Sequence, residues 1–427
     1  MHIFFSAIGG TAIGPLALIA KQAGYQVSGS DKQDSDYIRY LKKQGITDIH
    51  IGQTQEQISQ DHTKNPIDWF VYSSAVAIEN PNSPEFQFVK EKRIKSTKRD
   101  ELLNHIIQEK NLKLIAIAGT HGKTTTTSMI IWALKQLGIP VSYSVGAKIS
   151  FGEMGEFSPD AKYFVYEADE FDRNFLSFKP YISIISGIDY DHPDIYPTRN
   201  EYYQAFVQFI NQSASTFIWQ EDATKLNVNS SKGLFVLNKK DCADIAQKLP
   251  GKVNREDAQI VASALSYLED FHNVNQLSDV LNKFPGVSRR FEKISQNIYS
   301  DYAHTPEKIR GAIQIAQELA GNNFVVVYEG LHNTRQHFIK QELKHLFDDV
   351  KMVYIVPSYL AREDKSLELL TPQKIAKLLA NPDKAIPSEL NDSLKTSISK
   401  HVENGDLVLC LSAGSGGSLD EWLRQEY

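Results

Sequence analysis

Residues 115–127 read Ile-Ala-Ile-Ala-Gly-Thr-His-Gly-Lys-Thr-Thr-Thr-Thr. An apolar run of strand length, a turn bracketed by glycines and a helix-compatible stretch opening at Lys123 admit few folds. A turn of this kind leaves backbone N–H groups free at a helix N-terminus, where they cradle phosphate oxygens. In that arrangement the Lys123 ammonium reaches the β- and γ-phosphates, and the Thr124 hydroxyl ligates Mg2+. The loop, Gly119-Thr120-His121-Gly122-Lys123-Thr124-Thr125, is shorter than the common phosphate loop, because Ile117 and Ala118 stand where a further glycine is expected. The segment is read as a nucleoside triphosphate site on a strand–turn–helix unit.

At 427 residues the chain is long enough for two or three domains, each with its own core. Its net charge of −6 offers no general electrostatic reason to bind nucleic acid or an anionic membrane. No apolar run approaches the roughly 20 residues of a membrane helix. The opening Met1-His2-Ile3-Phe4-Phe5 lacks the basic residues of a secretory signal. Cys242 and Cys410 are far apart and are read as unpaired thiols of a reducing compartment, so a cytoplasmic location is expected.

Strands and helices alternate along the whole chain, which implies α/β architecture with largely parallel sheets. His2–Ile8 is a strand, Gly9-Gly10-Thr11-Ala12-Ile13-Gly14 a turn, and a helix follows to about Ala23. A second strand, Tyr25–Ser28, runs into Gly29-Ser30-Asp31. Asp31 stands 22 residues beyond Gly9, the separation expected of an acid that meets a ribose or base. Asp68–Tyr72 is a further strand, leading into Ser73 and Ser74. Beyond a basic stretch ending near Lys98, the strands Tyr163–Glu167, Ile182–Ile188 and Phe217–Trp219 accompany the phosphate turn, and Gly251–Phe271 reads as helix. The last strands are Tyr299–Asp301, Phe324–Tyr328, Val353–Val356 and Leu407–Leu411, with helices at Thr305–Leu319 and Thr371–Leu379. Domains are expected at 1–97, 98–285 and 286–427.

In an open parallel sheet the ligand crevice lies beyond the carboxyl ends of the strands. Glu167, Asp169, Glu170 and Asp172 follow one central strand; Asp189, Asp191, His192 and Asp194 follow another. Glu167, the first acid past its strand, is the strongest Mg2+ ligand, and His192 a contact of a second cation. Arg290 is placed to clamp a transferring phosphoryl group, with Arg289 a surface residue. Asp301 and His304 follow a strand of the last domain, and Thr305-Pro306 fits a helix cap. Arg335 follows another strand, where a guanidinium holds a carboxylate by paired hydrogen bonds. The turn from Leu411 through Ser415 to Gly417 is either a phosphate contact or a flexible loop.

In this order these motifs resemble the Mur ligase family, over essentially all 427 residues. They are Gly9-Gly10…Gly14 with Gly29-Ser30-Asp31, the phosphate turn, Glu167-Ala-Asp-Glu-Phe-Asp172, Asp191-His192, Phe284-Pro-Gly286 with Arg289-Arg290-Phe291, and Asp301-Tyr-Ala-His304. The resemblance implies three domains: a Rossmann-like one for a uridine nucleotide, a P-loop ATPase-like central one, and a Rossmann-like C-terminal one for an amino acid. It implies ATP and Mg2+, and a ligase joining L-alanine to UDP-N-acetylmuramate through an acyl phosphate in peptidoglycan precursor synthesis. It further implies that Gly9, Gly10, Gly14, Asp31, Ser73 and Ser74 serve the uridine nucleotide. Asn254 and Asp257 would serve the adenine, Asp301 the ATP ribose and Arg290 the γ-phosphate. Tyr302, His304 and Arg335 would line the amino acid site, in a monomer or homodimer.

Family members adding later residues carry a carbamylated lysine some fifteen residues after the Asp-His pair; here that position is Val207. Alanine addition and attachment of a recycled tripeptide therefore remain, the first favoured by the resemblance of Glu167–Phe175, the second by Gly10-Thr11 with Leu16–Ala20. The chain departs from the family at Val253-Asn254-Arg255-Glu256-Asp257, where a His-Asn pair and a further Asn are usual. It departs again at Gly330-Leu331-His332-Asn333-Thr334-Arg335, usually Pro-His-x-Tyr-Thr-Arg.

Overall fold

The structure is a computed structural model describing all residues except 193–194, 230–231, 242–244, 270, 272–273, 361–362, 365 and 415. Asp194, Cys242 and Ser415 thus lie outside the described residues. Chain contacts divide it into two compact units, Met1–Ile245 with Asp257–Phe284, and Ala246–Glu256 with Pro285–Tyr427.

The first unit carries two sheets. One is five-stranded and parallel throughout, in the spatial order Ile49–Ile51, Gln26–Asp31, His2–Ser6, Trp69–Tyr72, Lys95–Lys98. The order reverses direction at His2–Ser6, and a crevice opens where strand order reverses. The other has seven strands, in the order Leu234–Leu237, Ser215–Trp219, Ile182–Ile185, Lys113–Ala118, Tyr163–Glu167, Val141–Ser144, Gly155–Glu156. Its pairs are parallel but for the last. The strand feeding the phosphate turn therefore lies between those ending at Ile185 and Glu167. Register places Ile117 beside Glu167 and Ala118 beside Ile185, so all three strands release their chains at one level.

These strands are continuous apolar runs because helices cover both faces. Helix Arg199–Gln212 buries Tyr202, Ala205, Phe206, Phe209 and Ile210, the spacing of a single helical face. The Thr198 hydroxyl caps it by accepting the Glu201 N–H. Phe206 stacks edge-on to Phe175, 5.2 Å between centroids, and its truncation to Ala would cost about 3–5 kcal/mol. Val207 packs against the same core.

The second unit has one six-stranded sheet, ordered Glu292–Ser295, Ile298–Asp301, Leu407–Leu411, Phe324–Leu331, Val353–Tyr359, Ala385–Pro387. Only its first pair is antiparallel. Asp301 stands beside Leu411 at the carboxyl edge.

Some elements differ from expectation. The strand read as Ile182–Ile188 stops at Ile185, because Ser186 and Gly187 turn to meet the phosphate loop. The helix read as Gly251–Phe271 is Lys252–Leu265. Thr305 is the cap residue of Pro306–Ala320, with proline in the first turn, but its hydroxyl makes no capping bond. Cys410 is buried and unpaired. Among the described residues no helix is long and apolar enough to cross a membrane.

Candidate active site

The phosphate turn is held from below by the neighbouring strand's exit. Gly119 adopts φ +146°, and a Cβ there would lie 2.6 Å from Ser186 Oγ and 2.8 Å from Gly187 O. Only glycine fits. The Thr120 N–H donates to Gly187 O at 2.7 Å, and its hydroxyl donates to Asp189 O at 2.6 Å, 2.7 Å from Tyr202 OH. Ser186 Oγ donates to His121 O, and His121 Nε2 lies 3.1 Å from Asp189 Oδ2. Burial pushes the Asp189 carboxyl up, but His121 and Lys225 outweigh it and hold it below its ordinary value. Thr124 and Thr125 lie in the first turn of the following helix, Lys123–Gln136.

Lys123 opens that helix and folds back over the turn. Its Nζ donates to Glu170 Oε2 at 2.7 Å and Oε1 at 3.0 Å, and to Gly119 O. Burial would lower this ammonium's pKa, yet Glu170, Asp169 and Glu167 raise it overall, so the group stays charged. Glu170 is buried; the sequence placed it in the acidic cluster without a role. His192 Nε2 lies 3.9 Å from Glu170 Oε1, and its backbone takes the left-handed φ of 57°. Such strain in a non-glycine residue is typical of functional loops. Lys123, Glu170 and His192 form one cluster.

Glu167 stands beside it. The Thr124 hydroxyl donates to its Oε1 at 2.8 Å, and the Gly146 N–H to its Oε2 at 2.7 Å. Among the described residues no group of three or more His, Cys, Asp or Glu forms a metal cage. Mg2+ bound with a nucleotide asks for less, one or two protein oxygens beside phosphate and water. The adjacent Thr124 and Glu167 oxygens fit that demand. Asp257 is buried against the turn, its Oδ1 3.1 Å from where a Gly122 Cβ would stand. Asn254, earlier on the same helix, donates to Pro250 O at 2.7 Å.

In the five-stranded sheet, Asp31 Oδ2 accepts the Gly9 N–H at 2.8 Å, so part of this carboxylate is spent on its own turn. Gly10 donates to Ala7 O at 3.0 Å. Gly14 is required by packing, since a Cβ would lie 2.1 Å from the Tyr37 ring. Ser73 caps the helix Ser74–Glu79 by accepting the Val76 N–H, and Ser74 is buried and bonded to Asp172. Two features here escaped the sequence. Buried Glu85 accepts from Ser6 Oγ at 2.6 Å and from Ser30 Oγ. Arg99, with Asp100 and Asp169, lines a cavity of about 270 Å3 shared with Thr11, Lys123 and Glu167.

In the second unit, Arg289 corrects an expectation. It is no surface residue: its side chain is 25% exposed, Nη2 donates to Ser412 O and Gly414 O at 2.9 Å each, and Nε lies 3.4 Å from Asp420. Arg289 and Phe291 have φ of 57° and 49°, a double reversal around Arg290. The Arg290 guanidinium lies 4.8 Å from the Tyr302 ring centre. Asp301 Oδ2 accepts the Phe291 N–H at 2.7 Å; burial pushes its carboxyl up to about 6, against the pull of Arg290. His304 Nδ1 lies 2.9 Å from Tyr302 O, its ring edge-on to Tyr302. Arg335 is half-buried near the start of helix Asn333–Leu346. The glycine-rich turn is braced: Glu329 accepts from Ser412 Oγ at 2.6 Å and from Leu419 N at 3.0 Å.

Three α/β sheets and a glycine turn that carries a half-buried lysine define a multidomain protein of the phosphate-loop class. Residues 2–111 match the profile "Mur ligase family, catalytic domain", 117–248 "Mur ligase middle domain", and 289–414 "Mur ligase, glutamate ligase domain". The chain belongs to the Mur ligase family. It is 30% identical to the UDP-N-acetylmuramate–L-alanine ligase of Carboxydothermus hydrogenoformans, over 97% of this chain and 94% of that one. The crystal structure of the UDP-N-acetylmuramate–alanine ligase from Thermotoga maritima superposes with a TM-score of 0.74 at 23% identity, covering 100% of this chain and 98% of the other. A murein peptide ligase from Psychrobacter arcticus gives a TM-score of 0.62 at 21% identity, covering 97% and 96%.

Proposed function

We propose that this chain joins L-alanine to the lactyl carboxyl of UDP-N-acetylmuramate at the expense of ATP, a cytoplasmic step of peptidoglycan precursor synthesis. The observation that carries the reading is 30% identity to an L-alanine ligase over nearly the whole chain. The residues support a division of labour among three domains, 1–97 for the uridine nucleotide, 98–285 for ATP and 286–427 for the amino acid.

A carboxylate is a poor electrophile, and two anions must meet before it is activated. The carboxylate oxygen attacks the γ-phosphorus, ADP leaves, and the amine then displaces phosphate from the acyl phosphate as its proton is lost. Lys123 would exchange Glu170 for the β/γ-phosphates, and the turn's N–H groups would hold the phosphate oxygens. Thr124 and Glu167 would hold Mg2+, which supplies charge neutralisation at the transferring phosphoryl, with His192 beside a second ion. Gly119–Thr125, Asn254, Asp257 and Asp301 would seat the nucleotide, and Arg290 would face its γ-phosphate. Tyr302, His304 and Arg335 would receive the amino acid. The test is ADP release with L-alanine, glycine, L-serine and a tripeptide offered in parallel. Release requiring both UDP-N-acetylmuramate and L-alanine is expected. Preference for the tripeptide would move the chain to the peptide-recycling role, and release indifferent to both substrates would defeat the ligase reading.

A further inference from the structure

The cavity of about 270 Å3 in the first unit joins two turns. Thr11 and Ala12 of the first glycine turn form one wall; Lys123 and Glu167 of the phosphate site form another. A substrate with its pyrophosphate at the first turn and its carboxylate at the second must thread this space. The lining holds three carboxylates, Asp100, Glu167 and Asp169, against two cations, Lys123 and Arg99. An incoming carboxylate meets like charge there, and Lys123 is committed to phosphate. Arg99 is the cation that remains.

Its setting suits that task. The Arg99 side chain is 17% exposed. Nη2 donates to Asp169 Oδ2 at 2.9 Å, while Nε is 3.6 Å from Asp100 Oδ2, beyond hydrogen-bond distance. That is one hydrogen bond from a guanidinium with five N–H groups. Asp100 is itself fixed by Tyr166 OH at 2.9 Å, so it holds Arg99 in place from behind. A planar fork so held matches a carboxylate in a way an ammonium does not.

We infer that Arg99 is a substrate-positioning residue whose free N–H groups receive the sugar nucleotide's carboxylate and aim it at the phosphate site. The inference rests on the ligase reading for the identity of that carboxylate. Calorimetric titration with UDP-N-acetylmuramate and with UDP-N-acetylglucosamine, which lacks the lactyl carboxyl, isolates the contact. Wild-type protein should prefer the carboxylate-bearing ligand by about tenfold or more. In Arg99→Ala that preference should collapse while affinity for UDP-N-acetylglucosamine holds; equal loss for both ligands, or no loss, overturns the inference. So does a wild type without preference. Should Arg99→Ala fail to fold, Arg99→Lys decides: charge is kept and the fork lost, so the preference must still fall several-fold. ADP release separates the two claims. A wild type with the preference but no ADP release sinks the ligase reading alone; turnover with the preference intact in both Arg99 variants sinks this one alone.

Discussion

The central and C-terminal sheets both present charged side chains at the carboxyl ends of parallel strands, but they spend them differently. At the central edge the ionic and hydroxyl partners are mainly side chains, Lys123 with Glu170, Thr124 with Glu167 and His121 with Asp189, with Gly119 O and the Gly146 N–H as added backbone contacts. At the C-terminal edge the charged groups lean on backbone as well: Asp301 on the Phe291 N–H, Arg289 on the Ser412 and Gly414 carbonyls beside Asp420, Glu329 on the Leu419 N–H beside the Ser412 hydroxyl. A side-chain partner can be traded for a ligand's phosphate with one ion pair broken and another made. Backbone partners make the charge a brace, and trading it unfolds a loop. Under the proposed function, the central edge would exchange its contacts during the reaction, and the C-terminal edge would hold the shape of the amino acid site.

The sharpest break in that contrast would come from Lys123→Ala. Under the proposed function, loss of this charge should cut ADP release by about 10^3-fold or more. Calorimetric affinity for UDP-N-acetylmuramate should stay within about twofold, because the first glycine turn is untouched. Unchanged turnover would mean that the ion pair is structural. Glu170→Gln asks the complementary question. Leaving this half-buried ammonium without its buried partner should cost about 3 kcal/mol in the free protein, and ATP should restore part of it. The thermal shift on adding ATP then exceeds that of the wild type; an equal shift would show that Lys123 never leaves Glu170.

The strands were legible because burial on both faces writes itself as continuous apolar runs: Tyr163–Glu167 and Leu407–Leu411 are found where they are expected. Their ends were less so, since Ile188 is as apolar as Ile185 and only the approach of Gly187 to Gly119 decides the stop. The glycine turn was legible because its backbone demands glycines in sequence, Gly119 at φ +146° and Gly122 at φ +77°. Its partners were not, because the Lys123–Glu170 pair spans 47 residues and Arg99–Asp169 spans 70, separations that no local pattern encodes. Arg289 misled for a related reason: adjacent arginines look alike in sequence, while the reversal at Arg289 and Phe291 sends one into the fold.

Asp301→Asn tests the bracing edge. Burial raises this carboxyl from 3.8 to about 6, so the folded state holds the proton more tightly than the unfolded chain does. Its stabilising contribution is full below pH 3.8 and is lost as pH rises through about 6, at most about 3 kcal/mol in all. Asn has no such dependence. Urea midpoints of the wild type relative to Asp301→Asn should therefore fall between pH 4 and pH 6.5 and then level. A flat difference would mean that Asp301 titrates as an ordinary acid and that this edge is open to water.

The smallest expected effect marks where bracing gives way to surface. Arg255 Nη1 donates to Glu318 Oε1 at 2.6 Å and Nη2 to Oε2 at 3.0 Å, a two-pronged pair within the second unit with side chains 31% and 34% exposed. The hydrogen bond from Arg255 lowers the Glu318 carboxyl from 4.5 to about 2, despite some burial. The sign is opposite to that of Asp301: the contribution is present above pH 4.5 and lost as pH falls through about 2. Water screens a pair this exposed, so Glu318→Gln should cost only about 0.5–1 kcal/mol at neutral pH and less at high salt. Denaturant midpoints at low and high ionic strength measure it. A cost several times larger and blind to salt would make this pair a brace like Asp301, and backbone pairing would no longer separate the two edges.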